Sequence, residues 1–378
     1  MTDGTLQRVI REKDLQALES EENDNLVVTR AAELFLDELV AITEKGTADV
    51  LVCAIPFALL ERMWTKADDD SDEEPLDFHD ALKARAMRLG KPRQLVLPST
   101  YDDSKRLKQV RRDALRKPQD EATRAWNMYA ALYYKAGGVP WRLIRESAQL
   151  TVCYVGVSFF ETLDASALYS STAQVFNERG EGIILRGGAA TISKDDRQPH
   201  LDQDGAKQLL TAALKTYRGE HRTQPARVML CKTSSFSDEE FAGFREALDD
   251  LNIETADLMN IGETHTRLFR IGEYPPLRGT MLLKDDSRAA LYTRGSIDFY
   301  ETYPGMYIPR PLGITFAATT RPPRALAEEL LALTKLNWNN TQFDNSNPII
   351  VTAARKVGRI LRYVPTTETP PTRYSYYM

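Results

Sequence analysis

The stretch TVCYVGVSFFE, residues 151–161, contains the feature on which the interpretation of this sequence depends. It is short, apolar and rich in β-branched and aromatic residues, which is typical of a strand buried inside a sheet. One hydroxyl side chain, Ser158, lies near its centre. A serine in such a strand usually only hydrogen-bonds a neighbouring backbone group. The alternative is that Ser158 occupies a position where a working enzyme would need a carboxylate.

The segments that follow this stretch predict a fold. Residues 167–178 (ALYSSTAQVFNE) and 182–188 (GIILRGG) are two further strand candidates, separated by the turn-forming sequence RGEG. A helix is predicted over 203–217, a strand over 227–232, and then a second helix for which Ser237 and Glu240 form a capping box. Three strands in a meander followed by helix, strand and helix is the order of an RNase H-like fold.

The rest of the second half completes this domain. Further strands are predicted in IETADLMNI, GTMLLKD, RAALYTRG and PLGITFAA, and two helices over 322–335 and 348–362. For the last helix, Asn347 is the expected cap and Pro348 the expected first residue.

The first half of the chain predicts a second kind of domain. Residues 1–46 have helical character, and VLVCAIP (50–56) and RQLVLPS (93–99) are predicted strands. Helices are predicted over 78–90, ending at Gly90, and over 121–138, ending at two glycines. Alternating strands and helices indicate a small Rossmann-like α/β unit. We therefore divide the chain into residues 1–140 and residues 141–378.

Composition and charge exclude several classes of protein. The three cysteines lie far apart without CxxC spacing, which argues against a disulfide framework or zinc site and favours a reducing, cytoplasmic setting. The longest apolar run, VLVCAIPFALL, is too short to span a bilayer, and the N-terminus lacks the apolar core of a signal peptide. The net charge is −5, yet residues 83–117 contain twelve Lys or Arg against three Asp. Such a cluster is either a solvated face or a phosphate-binding surface.

Common catalytic signatures such as HExxH, the P-loop and GxSxG are absent from the sequence, and its four histidines lack metal-ligand spacing. In the first domain, however, polar side chains recur at positions that an α/β unit would bring together at strand ends: His79, Lys83, Gln94, Asn127 and Lys135. Together they could form a pocket for a terminal phosphate. Each also has a simpler explanation: Lys135 could complement a helix dipole, and His79 could pair with the acidic run before it.

Four segments of the sequence resemble the MID and PIWI domains of prokaryotic Argonautes. They are AWNMYAALYYKAGGVPWRL (125–143), VFNERGEGIILRGG (175–188), RVMLCKTSSFSDEEFAGFREAL (227–248) and LTKLNWNNTQFDNSNPIIVTAARKVG (333–358). They occur in the family's order, and the resemblance runs from about residue 48 to the C-terminus. With no region before the MID-like part that could hold N-terminal and PAZ domains, the sequence resembles a short, MID–PIWI-only Argonaute.

The resemblance implies a guide-binding pocket in the first domain. Argonaute MID domains capture the 5′ phosphate of a guide strand, and His79, Lys83, Gln94 and Lys135 match the residues that do so; Asn127 matches a polar position of the same pocket. The family often has another lysine one turn before the last, where this chain has Ala131. The C-terminal carboxylate, here that of Met378, helps to hold Mg²⁺ at the guide's first phosphates in the family, so an ordered, buried C-terminus near Lys135 and Gln94 is expected.

The resemblance also explains the serine. Slicing Argonautes carry four acidic metal ligands, and at three of those positions this chain has Ser158, Thr233 and Arg355. Two-metal phosphodiester cleavage requires several carboxylates, which hydroxyls and an arginine cannot replace. Ser158 is therefore interpreted as a lost catalytic aspartate, and the PIWI domain as catalytically inactive. The position of the second acid is not determined by the sequence.

The resemblance implies a small RNA guide, a complementary DNA target and defence against invading DNA. Output would come from a partner with an APAZ-like region and a NADase or nuclease effector. Two other hypotheses stay open at this point: an active RNase H-like endonuclease that takes carboxylates from elsewhere, such as Asp298 or Asp344, and a scaffold that has lost guide binding.

Overall fold

The structure, a computed structural model, describes residues 6–46, 48–60, 62, 76–101, 120–144, 151–175, 182–271, 275–300, 303, 308–338 and 346–378. The chain divides into two compact units. The first comprises residues 1–138, 360–371 and 375–377, and the second comprises 139–359, 372–374 and 378. In mid-chain this division lies two residues from the one based on sequence, but part of the C-terminal segment belongs to the first unit.

The first unit is a small α/β domain built on two parallel strands. Its strands are β1 (Leu51–Ala54) and β2 (Arg93–Val96), which pair in parallel from Leu51↔Arg93 to Ala54↔Val96. Its helices are α1 (Glu12–Glu19), α2 (Asp24–Lys45), α3 (Phe57–Leu60), α4 (Phe78–Ala86), α5 (Pro98–Tyr101) and α6 (Glu121–Lys135). Both strands and the longer helices were predicted from sequence. The core lies between the apolar faces of α2 and α4 and strand β1.

Two caps fix the helix that follows the acidic run. The carboxylate of Asp77 accepts a hydrogen bond from the backbone N–H of Asp80 at 3.0 Å and so begins α4. A short 3₁₀ turn, Met87–Leu89, extends the helix to Gly90, whose φ of 62° is the left-handed conformation that glycine adopts without strain. The predicted end of the helix at Gly90 is thereby confirmed.

The second unit contains one large mixed sheet. Its strands are β3 (Val152–Glu161), β4 (Leu168–Val175), β5 (Gly182–Ile192), β6 (Pro199–His200), β7 (Arg227–Lys232), β8 (Thr255–Glu263), β9 (Met281–Asp285), β10 (Arg288–Leu291) and β11 (Leu312–Ala318). Among the described residues they are ordered β6-β5-β4-β3-β7-β8-β11-β10-β9. β3 is antiparallel to β4 and parallel to β7, and β7 is parallel to β8. This is the strand order expected of an RNase H-like domain.

Helices cover both faces of this sheet at β3. The helices of the unit are α7 (Gln203–His221), α8 (Asp238–Asp250), α9 (Pro323–Leu333) and α10 (Ile349–Leu361). Val155 and Val157 belong to the apolar core that α7 and α8 complete. Gly156 meets α10 instead, since a Cβ added there would lie 2.3 Å from the carbonyl oxygen of Ile350. Because successive side chains of a strand point to opposite faces, α10 packs on the face opposite α7 and α8.

Helix boundaries in the second unit follow their caps, with one exception. Ser237 and Glu240 form both hydrogen bonds of the predicted capping box at the start of α8. The prediction for α10 was wrong by one residue. The carbonyl of Pro348 accepts the backbone N–H of Thr352, so Pro348 itself holds the cap position and the helix begins at Ile349. Within the described parts of the chain, no helix is long and apolar enough to cross a membrane.

Candidate functional site

Three polar residues predicted to share a pocket lie on three different elements of the first unit. Lys83 is on α4, Gln94 on β2, and Lys135 is the last residue of α6. The Nζ of Lys135 donates to the Oε1 of Gln94 at 2.6 Å, and the Nζ of Lys83 lies 3.4 Å from the carbonyl oxygen of Tyr377. Lys83 is 2% exposed and Lys135 is 5% exposed. Two ammonium groups are thus held almost out of water, where their charges act through a low dielectric.

A buried arginine that the sequence analysis missed holds this arrangement together. Arg93, at the start of β2, donates to the backbone carbonyl of Lys83 at 3.0 Å and to that of Ala86. These bonds connect the end of α4 with β2, so they position Lys83 relative to Gln94. Burial lowers the pKa of Arg93 to about 10, and the guanidinium stays charged at neutral pH. The sequence did contain one indication of this role, since Arg93 is a charged residue at the start of an otherwise apolar strand.

The thiol of Cys53 is also affected by burial and by these positive charges. Burial raises the pKa of Cys53, on β1, to about 11, while the positive charges of Arg93 and Lys135 act in the opposite direction. Cys53 is therefore a neutral thiol at physiological pH. The basic cluster of residues 83–117 is not a purely solvated face in its described part, since Lys83 and Arg93 are both buried; residues 102–117 lie outside the described residues.

His79 has carboxylate neighbours that the sequence analysis did not include. Its Nδ1 lies 2.8 Å from the Oδ1 of Asp80, which is buried. The ligand-type atoms of Asp77, His79 and Asp80 all lie within 4.8 Å of one another, the one such group among the described residues. This contact with Asp80 orients the imidazole ring. A phosphate approaching His79 would therefore also meet a negative charge.

The other two predicted features of the pocket are a helix face and the C-terminus. Asn127, half-buried, and Ala131 precede Lys135 by eight and four residues on α6, which places all three on one side of that helix. Tyr377 and Met378 are buried, as the sequence predicted. The hydroxyl of Tyr376 donates to the carbonyl of Gly90 at 2.9 Å, and Tyr377 donates to Pro371. The role of the Met378 carboxylate toward Mg²⁺ stays a prediction.

In the second unit, Ser158 and Thr233 each lie one residue beyond the last pair of the parallel ladder between β3 and β7. Val157 of β3 pairs with Lys232 of β7, and the backbone N–H of Thr233 donates to the carbonyl of Val157 at 3.1 Å. By strand alternation Ser158 lies on the same face as Gly156, the face that α10 covers. Ser158 is buried. These two sequence-predicted positions are thus adjacent.

The residue before Thr233 is part of a buried ion network. The Nζ of Lys232 lies 2.6 Å from both the Oε2 of Glu240 and the carbonyl of Ser235. Glu240 also accepts from the backbone N–H groups of Leu201 and Ser237, and contacts His200 at 3.0 Å. Burial lowers the pKa of Lys232, and the charge of Glu240 opposes that shift. This network fixes the backbone on either side of Thr233.

Arg355, the third position, is exposed on α10 and lines a cavity of about 440 Å³. The cavity lies at the end of β8 and the start of β11, and Arg294, Arg310 and Glu263 also line it. Three guanidinium groups and one carboxylate attract anions, not divalent cations. Of the alternative acids, Asp298 is exposed and is not among the cavity-lining residues, and Asp344 lies outside the described residues.

Comparison with known proteins gives a fold. No protein-family model and no curated protein matches the chain. Among solved structures, it is similar to Clostridium butyricum Argonaute bound to a guide DNA and a 19-mer target DNA, with a TM-score of 0.63 and 16% identity over 90% of this chain. It is also similar to Aa-Ago with externally bound siRNA, with a TM-score of 0.59 and 15% identity over 92% of this chain. The chain spans only 40% and 44% of those two proteins. It therefore has the mixed α/β fold of the MID and PIWI domains of Argonaute proteins.

Proposed function

We propose that this chain binds a small nucleic-acid guide by its 5′ phosphate in the first unit and pairs the guide with a complementary target in the second. The observation that carries the proposal is the pair of buried lysines, Lys83 and Lys135, with Gln94 between their elements. Of two solved structures with a similar fold, one is bound to a guide DNA and a target DNA and the other has an externally bound siRNA.

The energetics of the first unit favour a phosphate ligand. Around a buried ammonium group the dielectric is low, so its attraction to an added anion is stronger than it would be in water. A terminal phosphate brings nearly two negative charges and several acceptor oxygens, and hydrogen bonds between such charged groups are among the strongest in proteins. Lys83 and Lys135 supply the cations, Gln94 supplies an amide donor, and Asn127 lies on the same side of α6 as Lys135. His79 is held by Asp80 at the start of α4.

Mg²⁺ fits this proposal through the chemistry of its ligands. Magnesium is commonly held by one or two carboxylates together with substrate phosphates and keeps several waters. The C-terminal carboxylate of Met378 would provide such an oxygen, and a bound cation would offset the missing lysine at Ala131. Asp77, His79 and Asp80 form a group of ligand-type side chains in the first unit.

We further propose that the second unit recognises a target without cleaving it. Ser158 and Thr233 are adjacent hydroxyl-bearing residues just beyond the parallel pairing of β3 with β7, and Arg355 adds a positive charge where the resemblance places an acidic ligand. Neither hydroxyls nor a guanidinium can hold two divalent cations close together. By its resemblance to short Argonautes, the chain would use an RNA guide against invading DNA in the cytoplasm.

A protein partner with an APAZ-like region and a NADase or nuclease effector would convert recognition into output. One exposed surface of the first unit has residues typical of protein interfaces. Trp126, Tyr129 and Tyr133 stack along the exposed side of α6, with ring centroids 6.1 and 5.9 Å apart. Exposed Trp and Tyr side chains are enriched at the energetic centres of protein interfaces. Co-expression of the chain with its genomic neighbour should give a stable complex, weakened by Trp126→Ala; a chain that stays alone would contradict this part of the proposal.

The central test compares guide chemistry. Nucleic acid that co-purifies with the protein would be identified by ribonuclease and deoxyribonuclease digestion, and binding of one synthetic strand would be measured with a 5′ phosphate and with a 5′ hydroxyl. We expect tighter binding of the 5′-phosphorylated strand. Equal affinity for the two strands would reject the pocket assignment, and failure to bind either would reject guide binding altogether.

A further inference from the structure

The cavity at the end of β8 is built from three arginines on three separately anchored segments. Arg355 lies five residues beyond Ile350, about 7.5 Å along the axis of α10. Close packing of Ile350 on Gly156 fixes that helix against the sheet, because nothing larger than a hydrogen fits at Gly156. The position of Arg355 is therefore set by the core of the unit even though its side chain is exposed.

The other two arginines are held by their neighbours in sequence. The hydroxyl of Thr293 donates to the carbonyl of Ser346 at 2.6 Å, and the backbone N–H of Ser296 donates to Pro276 at 3.0 Å, so the turn that carries Arg294 is tied on both sides. Arg310 lies between Pro309 and Pro311, whose rings restrict the backbone there. All three arginines line the same cavity from three separate segments of the chain.

The described residues that line this cavity include more positive than negative side chains. Three arginines face one carboxylate, Glu263, which leaves a net charge of 3 − 1 = +2 among the described lining residues. Within the described part of the chain, neither Arg310 nor Arg355 forms an ion pair. Positive charge in a concave site with low-dielectric walls concentrates anions. Guanidinium groups also match the geometry of phosphate oxygens and can bind them through two parallel hydrogen bonds.

The size and walls of the cavity indicate what kind of phosphate it takes. At about 440 Å³ it offers far more room than an inorganic phosphate occupies. Its remaining wall includes Tyr303, Ile308 and Leu312, apolar surface suited to a sugar or base. We propose that this cavity binds one segment of the phosphodiester backbone of the guide–target duplex. Arg355, at the position where the resemblance places a metal-binding acid, would then bind a phosphate instead. The proposal rests on the proposed function of the chain.

The first experiment measures salt-dependent target binding. Protein loaded with a 5′-phosphorylated guide RNA would be titrated with matched target DNA over a series of NaCl concentrations, as wild type, Arg310→Gln and Arg355→Gln. Each variant should bind the target on the order of tenfold more weakly. The slope of log K against log salt should fall by about one for each arginine removed. Arg324→Gln is the matched control, because Arg324 is an exposed arginine on α9 outside the cavity.

The second experiment locates the bound phosphate and its strand. Neutral methylphosphonate linkages would be introduced one at a time in the target, and separately in the guide. One position in one strand should weaken binding to the wild type but not to Arg355→Gln. Unchanged affinity and salt slope in both variants would overturn the proposal, as would weaker binding with an unchanged slope. Loss of an acidic protein partner with normal target binding would also overturn it. If the wild type binds no guide or no matched target, the proposed function itself has failed.

Discussion

Replacing Lys135 by methionine separates the phosphate contact from the structural contribution of this lysine. Methionine has a similar length and no charge, so it preserves much of the volume of a side chain that is 5% exposed. The substitution also removes the donor that lies 2.6 Å from the Oε1 of Gln94. That structural loss is the same whether the guide carries a 5′ phosphate or a 5′ hydroxyl. The ratio of the two dissociation constants therefore isolates the phosphate interaction.

The magnitude follows from the kind of bond that is lost. A charge-assisted hydrogen bond contributes about 1.5–3 kcal/mol, and 1.4 kcal/mol corresponds to a factor of ten in affinity. We expect Lys135→Met to reduce the preference for the 5′-phosphorylated guide by about 10- to 150-fold. Lys83→Met should act in the same direction, since Lys83 is equally buried on α4. The double variant should lose less than the product of the two, because on the proposed function both lysines would interact with one phosphate.

The assay is a titration of fluorescently labelled guide, read by anisotropy, with melting temperature measured in parallel. Lys13→Met is the matched control, because Lys13 is an exposed lysine of α1 in the same unit. If Lys135→Met weakens the 5′-phosphate and 5′-hydroxyl guides by the same factor, Lys135 has a structural role only. A loss in the control as large as in Lys135→Met would show that binding depends on overall charge.

Three further outcomes are expected. The purified chain loaded with guide should leave a matched target uncut in Mg²⁺ or Mn²⁺, and guide-dependent cutting abolished by EDTA, seen by gel electrophoresis, would contradict the interpretation of Ser158, Thr233 and Arg355. Glu240→Gln should lower the free energy of unfolding by about 3–5 kcal/mol in urea titrations, because it leaves the buried charge of Lys232 uncompensated; the double variant with Lys232→Met should recover most of this loss. If the double variant does not recover stability, Glu240 stabilises the fold through its hydrogen bonds with backbone N–H groups instead. Deleting residues 375–378, which removes the Tyr377 carbonyl beside Lys83, should weaken guide binding and make it less responsive to Mg²⁺, and unchanged affinity and metal response would reject a role for the C-terminus.

The fold could be predicted from sequence because its signals are local. The sequence pattern identified the strands of both units except β6, and Gly90, Ser237 and Glu240 gave helix boundaries that the structure confirms. The two-residue strand β6 is too short to have a period, and it exists through its pairing with β5. The end of the chain illustrates the same limit, since residues 375–377 join the first unit through contacts far away in sequence.

The candidate sites were predicted only in part, because many of their contacts depend on tertiary packing. Spacing on a helix indicated Lys83 and His79, but it could not show that the Asp80 carboxylate would hydrogen-bond His79 or that Arg93 would cross from β2 to the end of α4. Those contacts depend on tertiary packing. The cavity around Arg355 was not predicted at all, because its lining comes from segments between residues 262 and 355 that no sequence motif links.

Both candidate sites contain positively charged side chains that favour anionic ligands. In the first unit, the buried ammonium groups of Lys83 and Lys135 favour an anionic ligand; in the second, the described residues that line the cavity carry a formal charge of +2. A metal-dependent nuclease needs the reverse arrangement, with negative charge where the scissile phosphate lies, because the cations must be held before they can act. Restoring one acid at Ser158 would supply a single carboxylate, whereas two-metal cleavage requires several. On the proposed function, loss of cleavage and gain of phosphate binding are therefore consequences of the same change in charge, and a chain with these residues is suited to holding a duplex for another protein to detect.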